Sequence, residues 1–205
     1  MMPINSMLPG ALNWWNRIRA PRALWTDLLL IAVLVGLDVF ARLLPHAPNF
    51  TPVAASALFA ASVLRVRTLS LVVPIAGMVL GDAVHGFYDW RIMVAVYGAL
   101  ALPACAACLS SRLRRPGVIV PVMLASSLAF FLVTNFAVWA FGSMYAANAG
   151  GLVTCYVAAL PFLKYTIVGD LVWAAALFGS LHLVQNILAS AQVWRAEAIA
   201  VRVRS

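Results

Sequence analysis

The sequence predicts an all-α integral membrane protein, a single domain of six transmembrane helices with both termini in the cytoplasm. Hydrophobic residues make up 64% of the 205 residues and charged residues only 10%, and the mean hydropathy is +0.97, whereas soluble domains are about half apolar. A transmembrane helix needs about 20 predominantly apolar residues. The predicted segments are residues 25–44, 51–64, 68–86, 91–110, 118–141 and 162–188.

The basic residues predict how these segments are oriented, because Lys and Arg accumulate in cytoplasmic loops. Most of them lie at alternate ends of the segments, as Arg17, Arg19, Arg22, Arg65, Arg67, Arg112, Arg114, Arg115, Arg195, Arg202 and Arg204. Residues 1–24 are therefore predicted as a cytoplasmic or interfacial segment and residues 189–205 as a basic cytoplasmic tail. Trp14 and Trp15 beside the first arginines favour an interfacial helix over a signal peptide.

The first segment carries a small-residue pair and a buried charge. Ala32 and Gly36 are four residues apart, a spacing that lets another helix approach closely, either within the bundle or from a partner subunit. Asp38 lies about 20 Å along the helix, in the outer half. Charges at this depth usually face the bundle interior and often mark function. The alternative for Asp38 is a local ion pair with Arg42, four residues later.

The second segment is short. Residues 51–64 cover about 21 Å, whereas the hydrocarbon layer is about 30 Å thick. The preceding loop, residues 45–50, is therefore expected to dip into the bundle, which irregular backbone tolerates only beside protein or a water-filled cavity. His46 and Asn49 would line that pocket. The alternative is an ordinary turn with Pro52 at the first helical position.

The third and fifth segments carry polar residues near their outer ends. Asp82 and His85 are three residues apart and share a helix face. The carboxylate is positioned either to bind a ligand or to orient the imidazole in a buried pair. Asn135 lies near the outer end of the fifth segment, on the same side of the membrane as Asp82.

The sixth segment is preceded by a long connection. Residues 142–161 are too long for a tight turn, and the apolar run within them is too short to span, so a lid or binding loop is predicted. Tyr145 would stack on a ligand there, or belong to an aromatic interface belt. Lys164 and Asp170 open the sixth segment. They are six residues apart and lie on different helix faces, so each needs a partner on another helix or a ligand.

Several functional classes are excluded by the sequence. The net charge of +8 follows from the loop arginines and does not indicate a nucleic-acid-binding surface. Cys105 and Cys108 form a CxxC within a predicted membrane helix, where small core residues are the favoured interpretation. No catalytic motif, metal-ligand cluster or nucleotide-binding loop is present. Neither an enzyme nor a bound metal is predicted, and ATP-driven transport would need a partner.

Four sequence runs carry a resemblance to known proteins. Residues 45–54, 79–87, 131–139 and 164–170 resemble a bacterial family of uncharacterised six-helix transport proteins, over about residues 25–185. The architecture is similar to that of the substrate-binding S components of energy-coupling factor (ECF) vitamin transporters. The resemblance implies the bacterial inner membrane, outer loops that close over a vitamin, and docking of Ala32 and Gly36 on a transmembrane coupling subunit driven by ATPases.

The resemblance also bears on the ligand. Nickel and cobalt S components begin with Met-His, whereas this chain begins Met-Met-Pro, so bare metal ions are disfavoured. A cobalamin-binding S component shares the layout, which makes a corrinoid the leading candidate as the bound solute, with His85 in the loop where that protein has a cysteine. The predicted function is a membrane substrate-binding subunit for a small organic solute. The alternatives are a proton-coupled carrier, with Asp82 or Asp170 cycling the proton, and a membrane assembly subunit.

The predicted binding residues share one property, a polar or ionisable group toward the outer side of the membrane. They are Asp38, His46, Asn49, Asp82, His85, Asn135, Tyr145, Lys164 and Asp170.

Overall fold

The computed structural model describes residues 24–204, and within that range the regular structure is entirely helical. The α-helices are α1 (Leu24–Leu43), α2 (Val53–Val63), α3 (Val72–His85), α4 (Trp90–Leu109), α5 (Ile119–Phe141) and α6 (Ala149–Arg204). Short 3₁₀ helices precede α3 and connect α4 to α5, at Arg67–Leu71, Ser111–Arg114 and Pro116–Val118. The N-terminal segment predicted for residues 1–24, with its three arginines and two tryptophans, lies outside the described residues except for Leu24.

Five helical segments are long and apolar enough to cross a membrane, which indicates a multi-pass membrane protein. They are Leu24–Leu43, Arg67–His85, Trp90–Leu109, Gly117–Phe141 and Ala149–Ala191. The second predicted segment is the exception, because α2 has only 11 residues. Every residue of α2 is buried, and the helix packs against α3, α4 and α6. Its many Ala and Ser side chains explain this position, since small residues let neighbouring helix backbones come close.

The C-terminal part of the chain corrects the prediction of a loop over residues 142–161, because α6 runs without interruption through Ala149–Arg204. The basic tail predicted from residue 189 continues this helix as far as Arg204. Pro161 lies inside it, where it removes one backbone donor without ending the helix. The apolar run before Pro161 is too short to span by itself, but it continues into the sixth predicted segment. The outer connection is only residues 142–148.

Hydrogen bonds bring three segments of the chain together at one end of the bundle. The thiol of Cys108, near the end of α4, donates to the carbonyl of Arg67 at 3.3 Å. The backbone N–H of Arg65 donates to Oδ2 of Asp27, in the first turn of α1, at 3.2 Å. The start of α1, the connection from α2 to α3 and the end of α4 therefore lie together, and the cavity described below lies away from them.

Candidate functional site

A cavity of about 350 Å³ lies within the helix bundle. Its walls come from α1, α3, α4, α5 and α6 and from the loops that follow α1 and α3. The polar and charged side chains that line it include Arg42, His46, Asn49, Asp82, Asn135 and Asp170. Five of these six residues belong to the predicted set, and they come from segments spread over more than half of the chain.

One wall of the cavity is built around an ion pair between Arg42 and Asp82. Arg42 Nη2 donates to Oδ1 of Asp82, and its Nη1 lies 3.2 Å from the sulfur of Met78. The hydroxyl of Tyr97, on α4, donates to Oδ2 of Asp82 at 2.7 Å. Both oxygens of this carboxylate therefore have partners, and α1, α3 and α4 are joined by one polar cluster.

This cluster replaces two alternatives that the sequence left open. Arg42 forms its ion pair with Asp82 and not with Asp38 on its own helix. His85 does not pair with Asp82, because its side chain is exposed and its Nδ1 lies 3.0 Å from the carbonyl oxygen of Gly81. Since Gly81 is four residues before His85, the imidazole contacts a backbone carbonyl of its own helix. His85 does not line the cavity.

Two glycines on α3 make the approach of α1 possible. A Cβ at Gly77 would lie 2.9 Å from Cβ of Asp38, and a Cβ at Gly81 would collide with Nε of Arg42. The four-residue spacing of Gly77 and Gly81 matches that of Asp38 and Arg42, so two side chains of α1 fit into two gaps on α3. This pair is a GxxxG pattern in the sequence. The small-residue contact was predicted at Ala32 and Gly36 instead, and Gly77 and Gly81 were missed.

Asp38 lies in this helix contact and does not line the cavity. Its side chain is fully buried, and Oδ1 accepts a hydrogen bond of 2.8 Å from the hydroxyl of Ser56 on α2. Its second oxygen has no hydrogen-bond partner among the described residues. Asp38 therefore joins α1 to α2, and its predicted contact with a ligand is not supported by its position.

Asp170 lies at the deep end of the cavity. It is only 4% exposed, and its Oδ2 accepts a hydrogen bond of 2.6 Å from the hydroxyl of Ser127 on α5. Ser127 is about 12 Å from the start of α5, roughly a third of the helix length. No ion pair joins Asp170 to a basic residue in the part of the chain that the structure describes.

The loop between α1 and α2, which the short second segment predicted to dip into the bundle, packs against α6, although most of its residues, His46 and Asn49 included, are exposed. The N–H of Phe50 donates to the carbonyl of Ala47 at 3.0 Å, and Asn49 has a φ of 60°. Pro48 and Asn49 thus occupy the central positions of a type II turn, where the second residue needs a positive φ. The Cα of Phe50 lies only 3.0 Å from where a Cβ on Gly169 would stand, so the loop packs directly beside Asp170.

Two other predicted residues lie away from the cavity. Lys164 is exposed, and its Nζ lies 4.9 Å from the ring centre of the adjacent Tyr165. Its separation from the buried Asp170 agrees with their predicted places on different helix faces. Tyr145 lies half-buried in the 142–148 connection and does not line the cavity. Since that connection is short, no long lid carries Tyr145 over the pocket.

The loop from α3 to α4 forms part of the rim. Tyr88 lines the cavity, and burial, followed by the nearby Asp82 carboxylate, raises its pKa to about 12. Asp89 caps α4 by accepting from the backbone N–H of Arg91 at 2.8 Å, and its Oδ2 accepts from Nη2 of Arg91 at 2.7 Å. The side-chain hydrogen bonds from Arg91, followed by the backbone one, lower the pKa of Asp89 to about 2.

The lining of the cavity combines apolar side chains with a few polar groups. Within residues 24–204, no group of three or more His, Cys, Asp or Glu side chains is placed to hold a metal ion. Apolar walls with a few oriented polar groups are typical of pockets for small organic ligands. The sequence did not indicate Arg42 as a cavity residue. It also did not indicate Tyr97 and Ser127 as the hydrogen-bond donors to Asp82 and Asp170. An arginine four residues after a deep aspartate was the available signal for Arg42.

A protein-family model described as "Family of unknown function (DUF6580)" matches residues 22–193, which is most of the chain. No curated protein and no solved structure matches the chain.

Proposed function

Since the chain belongs to this family of unknown function, we propose its role from its own cavity: it is a membrane protein that binds a small organic solute from outside the cell for uptake. The observation that carries this proposal is the convergence of Arg42, Asp82, Asn135 and Asp170 on one cavity. Ionisable groups at membrane depth are costly and usually mark a ligand or ion pathway.

The volume of the cavity limits the solute. About 350 Å³ is at the low end of the range for pockets that bind drug-sized ligands, about 300–1,000 Å³. A corrinoid is far larger than a drug-sized molecule. We therefore propose a smaller solute than the corrinoid that the resemblance suggested.

The basic residues support an outward-facing cavity. Arg65 and Arg67 lie at the end of the bundle away from the pocket, where Cys108 and Asp27 also lie. By the positive-inside rule this end belongs in the cytoplasm. The loops that carry His46 and Tyr88 would then face the outside, in a bacterial inner membrane.

We propose that transport itself depends on partner subunits of the ECF type. The chain contains no nucleotide-binding loop, so ATP hydrolysis would have to come from elsewhere. Ala32 and Gly36 are exposed on the outer surface of α1, and a Cβ at Gly36 would have no atom within 4 Å. Their exposure leaves the predicted docking face open to a transmembrane coupling subunit.

A second candidate is a proton-coupled carrier, and Asp170 is the observation that favours it. Secondary carriers place their ionisable groups near the middle of the membrane, and Asp170 is buried there beside Ser127. Uptake by proteoliposomes that contain this chain alone and respond to an imposed pH gradient would support the carrier. Uptake that requires a co-purified ATPase would support the binding subunit.

The binding proposal is tested by filling the cavity. Val138 lines it, whereas Val133 on the same helix is 41% exposed on the outside of the bundle. The protein and its Val138→Phe and Val133→Phe variants would be purified from a bacterial host and any retained small molecule identified by mass spectrometry. We expect a retained solute in the parent and in Val133→Phe, and its loss in Val138→Phe, with the thermal stability of the solute-free proteins unchanged.

A parent protein that retains no small molecule, and whose melting temperature responds to none in a solute panel, would contradict the proposal. That result would favour the third reading of the sequence, an assembly subunit whose buried charges only join helices.

A further inference from the structure

The cavity surface beside α5 and α6 is rich in hydrogen-bond acceptors. The hydroxyls of Thr134 and Thr166 donate to the carbonyls of Phe130 at 2.8 Å and Phe162 at 3.0 Å within their own helices. The amide nitrogen of Asn135 donates to Phe131 at 2.7 Å in the same way. Because a hydroxyl has one hydrogen, both threonines present only lone pairs to the cavity, and Asn135 keeps its carbonyl oxygen and one N–H.

The formal charge of the cavity is negative. Its lining contains one arginine and two aspartates, so with His46 neutral the sum is one positive and two negative charges, or −1. Arg42 is already engaged by Asp82. The excess charge therefore belongs to Asp170, whose partner is the neutral hydroxyl of Ser127.

A buried carboxylate with no cation beside it is expensive. It is retained when a counter-charge arrives with a ligand, or it is held neutral by a proton. The acceptors in the cavity favour the first solution, because Thr166, one helical turn from Asp170, offers an oxygen to a group that brings several N–H donors. Thr134 and Asn135 offer further oxygens along α5. A neutral, protonated Asp170 has one O–H to donate, so it would need only one of these acceptors.

We propose that Asp170 is the recognition site for a cationic ammonium group on the transported solute. This inference rests on the proposed function and names the class of its substrate, a small organic amine. The ammonium hydrogens donate to Asp170 and to the oxygen of Thr166, one helical turn away, and the oxygens of Thr134 and Asn135 remain for other donors of the solute. The rings of Phe130, Phe131 and Phe162 line the same space, where aromatic faces stabilise a cation further.

The test compares two probes that differ in charge and hardly in shape. Benzylamine is protonated at neutral pH, and benzyl alcohol is its neutral counterpart; both are small enough for a cavity of about 350 Å³. Binding of each to the full-length protein in nanodiscs would be measured by isothermal titration calorimetry at pH 7. We expect benzylamine to bind about tenfold more tightly, or better, as charged hydrogen bonds require.

The variants assign that preference to Asp170. Asp170→Asn keeps the size of the side chain and the contact with Ser127, and we expect it to remove the preference for the amine. Lys164→Gln changes a charge on the same helix but outside the cavity, and we expect it to leave the preference unchanged. Binding that Val138→Phe does not weaken lies outside the cavity and counts as no binding.

The possible failures are distinct. Equal binding of the two probes, or a preference that survives Asp170→Asn, overturns the ammonium assignment and leaves the binding function standing. Failure of both probes to bind in the cavity overturns the assignment, and when the purified protein also retains no solute, it overturns the proposed function with it.

Discussion

Arg42 and Asp82, 40 residues apart in the chain, form an ion pair within the helix bundle. Both line the cavity, and each neutralises the charge of the other. The hydroxyl of Tyr97 donates to the second oxygen of Asp82. A cavity wall whose ion pair is already formed before any ligand arrives provides a fixed surface. The binding specificity then depends on the groups that are incomplete, foremost Asp170.

The ion pair should be costly to break from one side. Asp82→Ala leaves the guanidinium of Arg42 without a counter-charge, and we expect a loss of about 3–5 kcal/mol in the free energy of unfolding. The double variant Arg42→Met with Asp82→Leu removes both charges and should recover most of that loss. Denaturant unfolding in mixed micelles measures both. A double variant as unstable as Asp82→Ala would show that the loss does not come from the uncompensated charge of Arg42.

The glycines of α3 should differ in their tolerance of alanine. At Gly77 the added Cβ meets the Cβ of Asp38, close to the backbone of α1, so the helices must separate, at about 1–3 kcal/mol. At Gly81 it meets the Arg42 side chain, which can move, so we expect a smaller loss of stability. Gly36→Ala is the matched control, since its Cβ has free space, and we expect it to stabilise by up to about 1 kcal/mol. Equal effects at Gly36 and Gly77 would contradict the close contact.

The turn before α2 should depend on the residue at position 49. Asn49 has a φ of 60°, which glycine adopts freely and a β-branched residue does not. We expect Asn49→Gly to keep the thermal stability and Asn49→Val to lower the free energy of unfolding by about 1–2 kcal/mol. Thermal melts of the purified variants measure this. Comparable melting temperatures for the glycine and valine variants would argue against the turn.

Asp89 should remain ionised in acid. Its pKa is lowered from 3.8 to about 2, so its ionised form stabilises the folded state above pH about 4, and this stabilisation is lost as the pH falls toward 2. Arg91→Gln removes the side-chain hydrogen bonds and should return the pKa toward 3.8. Carboxyl-carbon NMR in a pH titration measures the shift. Lys164→Gln serves as a distant control that should leave the pKa of Asp89 unchanged.

The depth of a residue could be predicted from the sequence, but its direction could not. Counting residues along each segment placed Asp82 and Asn135 near the outer ends of their segments, and both line the cavity. Asp170 also lines the cavity, but it lies deeper than the count implied, because it bonds to Ser127, about 12 Å nearer the start of α5 than Asn135. The same count placed Asp38 with them, although Asp38 faces Ser56 and Gly77 instead. The rotation of a helix about its axis is set by packing, and segments that are apolar on every face carry little signal for it.

The boundaries of α6 show a second limit. Glycine and proline normally mark loops, so Gly150, Gly151 and Pro161 predicted one. In a membrane bundle the missing hydrogen bond of a proline is compensated by neighbouring structure, and helices tolerate it. The packing of α6 along α5 decides the matter, and that contact is not visible in a single segment.

α6 is much longer than a helix needs to be to cross a membrane. It has 56 residues, or about 84 Å, nearly three times the thickness of the hydrocarbon layer. Asp170 lies about 32 Å from the start of α6 and about 50 Å from its C-terminal end. A tilt of only about 5° about Asp170 would move the C-terminal end by about 4 Å over that arm. A small rotation beside the cavity would therefore become a larger sideways displacement at the far end of the helix.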